Sequence, residues 1–177
     1  GDELLLNHEA LASERVTLAG IEEEHDYVDD ALRDSRARIE LGGVNEQVGR
    51  WLWTERRRLQ RPEVLRKSLD ETRVRLADLR VRMFTLRDER REVADVTAAV
   101  AQLIEAGRAG ADDDATESGV SEALTPLVRE RAELLAELRP LLERRITTLD
   151  RSERTLGEQL ESVIVLRRLL DSPLLWL

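Results

Sequence analysis

Residues 65–104, LRKSLDETRVRLADLRVRMFTLRDERREVADVTAAVAQLI, decide the fold. Stepping along this stretch alternately by four and three residues gives twelve positions, of which nine are apolar. The residues between them are mainly arginine, aspartate and glutamate. A repeat of about 3.5 residues sustained over several heptads is specific for the buried stripe, or seam, of a coiled coil. The predicted seam is Leu65, Leu69, Thr72, Leu76, Leu79, Met83, Leu86, Arg90, Val93, Thr97, Val100 and Ile104.

Two further segments repeat the pattern. In the first, seven of eleven seam positions are apolar, so this seam carries more polar residues. It runs through Leu4, Asn7, Leu11, Glu14, Leu18, Ile21, His25, Val28, Leu32, Ser35 and Ile39. The last segment shifts its frame near Pro140 and runs through Leu135, Leu138, Leu142, Ile146, Leu149, Glu153, Leu156, Leu160, Val163, Arg167, Leu170 and Leu174.

Glycine and proline mark the ends of these segments. Gly42-Gly43 is a helix stop, Pro62 suits a first helical turn, and residues 107–119 form a polar, acidic linker that we expect to be flexible. The pattern predicts helices at about 2–41, 45–60, 62–106 and 120–171. Three long helices joined by short turns should fold back on one another. We therefore predict one all-α domain over residues 1–177, an elongated antiparallel three-helix bundle with a short extra helix at the Gly42-Gly43 elbow.

Composition restricts the function. The chain has 177 residues with 28 Lys+Arg, 37 Asp+Glu and a net charge of −9, which argues against nucleic-acid binding. It has no cysteine, which excludes disulfides and thiolate metal sites. We find no signal peptide and no apolar run of the ~20 residues that a membrane span needs. Because the chain opens at Gly1-Asp2 and closes on an apolar stretch, we expect a soluble fragment of a longer protein.

Few residues are candidates for chemistry. His25 lies on a seam, where a partly buried structural histidine is favoured over a metal ligand or pH switch. Asp112, Asp113 and Asp114 with Glu117 lack the alternation and glycine of a calcium loop, so a solvated linker is favoured. Arg90 and Arg167 on seams suggest paired or snorkelling side chains. We expect no enzyme activity, no catalytic or metal-binding residues and no cofactor.

The tryptophans are the most conspicuous side chains. Trp51 and Trp53 are two positions apart, so on a helix they point about 200° apart and cannot share one seam. One interpretation is that one packs into the bundle end and the other lies on the surface beside Arg56–Arg58. The other is that Trp51 and Trp53, together with Trp176, dock a partner chain or a membrane interface.

Three stretches together resemble a known family. They are LGGVNEQVGR at residues 41–50, LDETRVRLADLRVRMFTLRDERREVADV at 69–96 and RLLDSPLLW at 168–176. In that order they resemble the periplasmic helical region of large, multi-domain mechanosensitive channels of the small-conductance (MscS-like) family, particularly the potassium-regulated type. The Gly42-Gly43 elbow and the Leu-Leu-Trp ending carry most of this likeness, while Pro173 and the Trp51/Trp53 pair depart from it.

The resemblance implies a non-catalytic domain on the periplasmic side of a bacterial inner membrane. Its partners would be the membrane and pore parts of its own channel, neighbouring subunits in a ring of seven and envelope components. It would transmit or modulate gating in response to membrane tension or osmotic shock, without itself spanning the membrane. The alternative is a coiled-coil envelope adaptor or scaffold that self-associates or tethers partners.

Overall fold

The computed structural model describes residues 2–43, 45–108 and 117–171. These ranges contain five α-helices and no strand. The helices are α1 (Asp2–Gly42), α2 (Glu46–Arg58), α3 (Pro62–Val93), α4 (Val96–Arg108) and α5 (Glu117–Leu170). The prediction of an all-α helical bundle is confirmed.

The contacts group into two compact units. The first comprises the described residues of Gly1–Leu11 and Ala77–Ile146, and the second those of Ala12–Leu76 and Thr147–Leu177. Each unit contains part of α1, α3 and α5; α4 belongs to the first unit and α2 to the second. The sequence predicts a single domain instead, and that interpretation stays a prediction.

Cross-helix contacts give the helix directions inside the second unit. Arg151 pairs with Glu22 at 2.5 Å, and the Ser162 hydroxyl donates to Asp29 at 2.7 Å, so α5 runs parallel to α1. Arg73 on α3 pairs with Glu153 at 2.8 Å, whereas Arg167 reaches the residues just before α3. Because higher numbers on α5 meet lower numbers at α3, these two helices are antiparallel.

Buried apolar residues from all four helices of this unit form one cluster. It consists of Val28, Ala31, Val48, Leu52, Leu59, Leu65, Leu69, Leu156, Val163, Leu166 and Leu170. Each member withdraws apolar surface from water, which is the main favourable term in folding. Since α2 is only 13 residues long, this contact rather than intrinsic helix propensity accounts for its stability.

The predicted helix over 62–106 is wrong in one respect, because the chain breaks between α3 and α4. The Asp95 carboxylate accepts hydrogen bonds from the backbone N–H groups of Thr97 and Ala98, both at 3.1 Å. This is N-terminal capping, which offers the backbone an alternative to a continuous helix. Parts of the predicted linker are helical: residues 107–108 belong to α4, and residues 117–119 belong to α5. Residues 109–116 lie outside the described residues.

Candidate docking surface on the second helix

The elbow between α1 and α2 is capped on both sides. Gly43 follows the last residue of α1 with φ +60°, a left-handed conformation that glycine adopts without steric cost. Asn45 has extended backbone, and its side chain accepts a hydrogen bond from the Val48 N–H at 2.9 Å. A glycine stop and an asparagine cap therefore fix where the second helix starts.

The inner face of α2 packs into the core of the second unit. Val48 and Leu52 are buried on it, and Leu59 is buried just after the helix. Trp51 is partly buried against the same cluster, and the Arg38 guanidinium of α1 lies 4.5 Å from the centre of its ring. Trp51 is thus a packing residue with a cation over the face of its ring.

A buried carboxylate completes this inner face. Glu55 is 6% exposed, and the Tyr27 hydroxyl of α1 donates a hydrogen bond to it at 2.5 Å. The Arg58 guanidinium lies 3.9 Å from its other oxygen. Burial, together with the hydrogen bond to Glu55, raises the pKa of Tyr27 above its ordinary value. The pair links α1 to α2, and sequence reasoning missed it because one acid among 37 gives no signal.

This pair predicts a pH dependence at the alkaline end. A folded-state pKa above the unfolded value of about 10 means that stability is fully present below pH ~10 and falls as pH rises through the raised pKa. Tyr27 is the only tyrosine, so the ultraviolet absorbance of tyrosinate reports it alone. We expect the native chain to ionise at higher pH than the urea-unfolded chain. A native titration at or below the unfolded one would contradict this assignment.

The outer face of α2, defined as Arg50, Trp53, Arg56 and Arg57, faces away from the core, whereas Arg58 lies toward Glu55. Trp53 is 45% exposed, and the Arg57 guanidinium stacks over its ring at 3.8 Å. Arg50 pairs with Glu46 at 2.5 Å, and both side chains are exposed. The two tryptophans therefore lie on opposite sides of the helix, Trp51 packed against the core and Trp53 on the surface.

The end of α5 is fastened beside this face. Asp171 pairs with Arg56 at 2.9 Å. One terminal nitrogen of the Arg167 guanidinium donates to the carbonyl oxygens of Leu59 and Gln60, both at 3.4 Å. Leu170 is fully buried in the shared cluster. Arg167, for which the sequence suggests a paired or snorkelling side chain, thus donates to backbone carbonyls.

Arg82 forms an ion-pair cluster with Glu3 and Glu89 in the first unit. Its guanidinium donates to both carboxylate oxygens of Glu3, at 2.8 and 3.0 Å, and to Glu89 at 2.9 Å. The hydrogen bond from Arg82 is the main reason that the pKa of Glu3 lies below its ordinary value. Sequence reasoning did not single out Arg82, although its heptad spacing from Glu89 places the two on one helix face.

The other predicted candidates are dispersed. The His25 Nε2 atom lies 3.6 Å from Asp29 and 3.8 Å from Glu158, in the second unit. Arg90 is half-buried in the first unit and lines a cavity of about 410 Å³. Asp112, Asp113, Asp114 and Trp176 lie outside the described residues.

In residues 2–43, 45–108 and 117–171, no group of three or more His, Cys, Asp or Glu side chains is placed to hold a metal ion. Within the same ranges, no helix has the length and apolar character required to cross a bilayer.

The chain was compared with known proteins at three levels. It matches no protein-family model, no curated protein and no solved structure.

Proposed function

We propose that the chain is the non-catalytic extracytoplasmic helical domain of an MscS-like mechanosensitive channel, on the periplasmic side of a bacterial inner membrane. In this role it transmits or modulates gating when membrane tension changes. The family resemblance of residues 41–50, 69–96 and 168–176 supports the identity of the channel. The structural observation that supports the mechanical role is the set of contacts between the end of α5 and α2, in particular the Arg56–Asp171 ion pair.

The proposed mechanism is transmission of force through packed helices. In the family that the chain resembles, membrane helices follow the segment that residues 168–176 resemble. A displacement of that segment would reach α2 through Asp171 and Arg56, 2.9 Å apart, and through the buried Leu170. From α2 it would pass to α1 through Tyr27 and Glu55. Packed helices pass on such a displacement because protein interiors are dense and have low compressibility.

Gating modulation requires that these contacts differ between the closed and open channel. We therefore expect the double substitution Arg56→Gln/Asp171→Asn, made in the full-length channel, to change the membrane tension at half-maximal opening in patch-clamp recordings. Arg66→Gln/Glu63→Gln is the control, because it removes an exposed ion pair that lies within α3 and joins no two helices. An unchanged tension threshold, both for the first variant and for a channel lacking residues 2–171, would overturn the regulatory role.

A coiled-coil adaptor or scaffold is the second candidate, and exposed apolar side chains of the first unit favour it. Leu5, Leu6, Phe84, Leu103 and Leu127 are each at least 50% exposed. Such side chains can drive self-association when they form a contiguous patch. An adaptor that works by self-association should form a stable homo-oligomer, and sedimentation equilibrium tests this. A strict monomer at high concentration would count against the adaptor, while the channel domain could still assemble through its membrane part.

A further inference from the structure

We propose that the outer face of α2 binds the surface of an anionic lipid bilayer. The inference goes beyond the proposed function and does not depend on it, because lipid vesicles alone test it. Three observations carry it: the distribution of charge along the helices, the exposed tryptophan among the arginines, and the packing that holds this face toward solvent.

Charge is distributed unevenly between the first two helices. Helix α1 carries twelve acidic and four basic residues, whereas α2 carries four arginines and two glutamates in 13 residues. One of those glutamates, Glu55, is buried and turned toward Tyr27. The outer face of α2 is therefore a positive surface on a chain of net charge −9. Each arginine near an anionic bilayer strengthens binding about fivefold, and the attraction decays within about 8–10 Å at physiological salt.

The ion pairs of this face leave its positive charge accessible. Glu46 and Asp171 pair with Arg50 and Arg56 at the exposed surface, where such pairs are weak and exchange readily with water or other anions. Arg57 makes no ion pair with any described residue and instead stacks on Trp53. Its guanidinium therefore keeps donors for a lipid phosphate, to which arginine can bind in bidentate fashion.

Trp53 adds an apolar contact at the centre of the arginines. Arg50 and Arg57 lie three positions before and four positions after it, so all three share one side of the helix. An indole has an apolar body and one N–H donor, and tryptophan is enriched where membranes meet water for that reason. A tryptophan flanked by arginines is the side-chain combination that a phosphate-rich, partly apolar interface recognises.

The packing of α2 fixes the orientation of this surface. Leu52 and Val48 anchor the opposite side of the helix in the core, and the caps at Gly43 and Asn45 set its start. The arginines and Trp53 are consequently presented together before any ligand arrives, which reduces the entropy lost on binding. A planar anionic surface fits this convex helix face, since it requires no pocket.

The test is binding of the 177-residue chain to vesicles of phosphatidylglycerol and phosphatidylcholine in about equal parts, measured by co-sedimentation. We expect binding at low ionic strength, its loss at high ionic strength, and no binding to phosphatidylcholine alone. The double substitution Arg50→Gln/Arg57→Gln should weaken binding about 10- to 30-fold, and Trp53→Ala should weaken it by a smaller factor. Circular dichroism confirms that each variant keeps its helix content.

The control is Arg66→Gln/Arg75→Gln, which removes two exposed arginines from α3 of the same unit and changes the net charge equally. This variant should bind as the parent chain does. Two outcomes overturn the proposal. One is the absence of binding to anionic vesicles at low salt, as expected if this face instead meets an acidic protein. The other is an equal loss of binding in the α2 and α3 variants, as expected of unspecific attraction.

Discussion

Replacing Leu142 by alanine is expected to lower the free energy of unfolding by about 2–5 kcal/mol, the range for a large aliphatic side chain removed from a packed core. Leu142 lies on α5 within the first unit and is 1% exposed. The loss combines the transfer free energy of the deleted atoms with the cavity that they leave. Because domains are stable by only about 5–15 kcal/mol, the midpoint of urea unfolding followed by circular dichroism should fall clearly.

Leu127→Ala is the matched control for this prediction. It deletes the same atoms from the same helix and the same unit, but Leu127 is 60% exposed. Its free energy of unfolding should change by about 0.5 kcal/mol or less. Equal losses for the two variants would mean that Leu142 is not a core residue and that the described packing of the first unit is wrong.

The seam of α3 shows how far sequence periodicity can predict this fold. Every buried side chain of α3 occupies an apolar heptad position, and only Met83 among these positions is half-buried, because burial against two neighbours on one side selects a narrow stripe of the helix. Six of them are buried: Leu65, Leu69, Leu76, Leu79, Leu86 and Val93.

The polar seam positions of α1 were also placed correctly, and the structure shows how they are accommodated. The Asn7 amide donates to the Glu3 carbonyl at 2.7 Å and accepts from Arg145 at 2.6 Å. The Ser35 hydroxyl donates to the Ala31 carbonyl at 2.7 Å. A buried polar group costs little once it is hydrogen-bonded, which is why these residues do not disrupt the helix contacts.

The seam of α5 could be predicted only in part. Leu149, Leu156, Val163 and Leu170 are buried as expected. At the alternate seam positions, the buried residue comes one position earlier in the sequence than predicted. The buried residues are Ser152, Gln159 and Leu166, whereas the prediction named Glu153, Leu160 and Arg167. In the second unit α5 contacts α1, α3 and the end of α2, so its buried stripe is wide. Hydrophobicity then cannot choose between adjacent positions, and Gln159 at 1% exposure is deeper than Leu160.

The candidate surface was predictable in its geometry but not in its contacts. A helix period alone places Trp51 and Trp53 on opposite sides, and the buried Leu52 and Val48 decide which of them faces the core. The ion pair between Arg56 and Asp171 joins residues far apart in sequence, and no local pattern indicates it. The stacking of Arg57 on Trp53 is local, at a spacing of four, and could have been inferred.

Leu52→Ala is expected to open α2 locally before the rest of the second unit unfolds. Leu52 is 1% exposed, and α2 is too short to be helical without tertiary contacts. Losing about 2–5 kcal/mol of packing at this site should raise native-state hydrogen exchange of the α2 amides about 30- to 5,000-fold. Amides of α3 in the same unit should change much less, because its own buried leucines keep their contacts.

Trp53→Ala is the control that distinguishes the outer face of α2 from its inner face. It removes a larger side chain than Leu52→Ala does, at the adjacent position. Trp53 contacts Arg57 and is otherwise exposed to solvent, away from the core. Its replacement should therefore raise hydrogen exchange of the α2 amides by less than about tenfold. If Trp53→Ala opened α2 as much as Leu52→Ala does, the tryptophan would be a structural residue. Its exposed ring could then no longer be attributed to recognition of a surface. If only Leu52→Ala has a large effect, the exposed Trp53 is not needed for the stability of α2. Its exposure can then be attributed to docking.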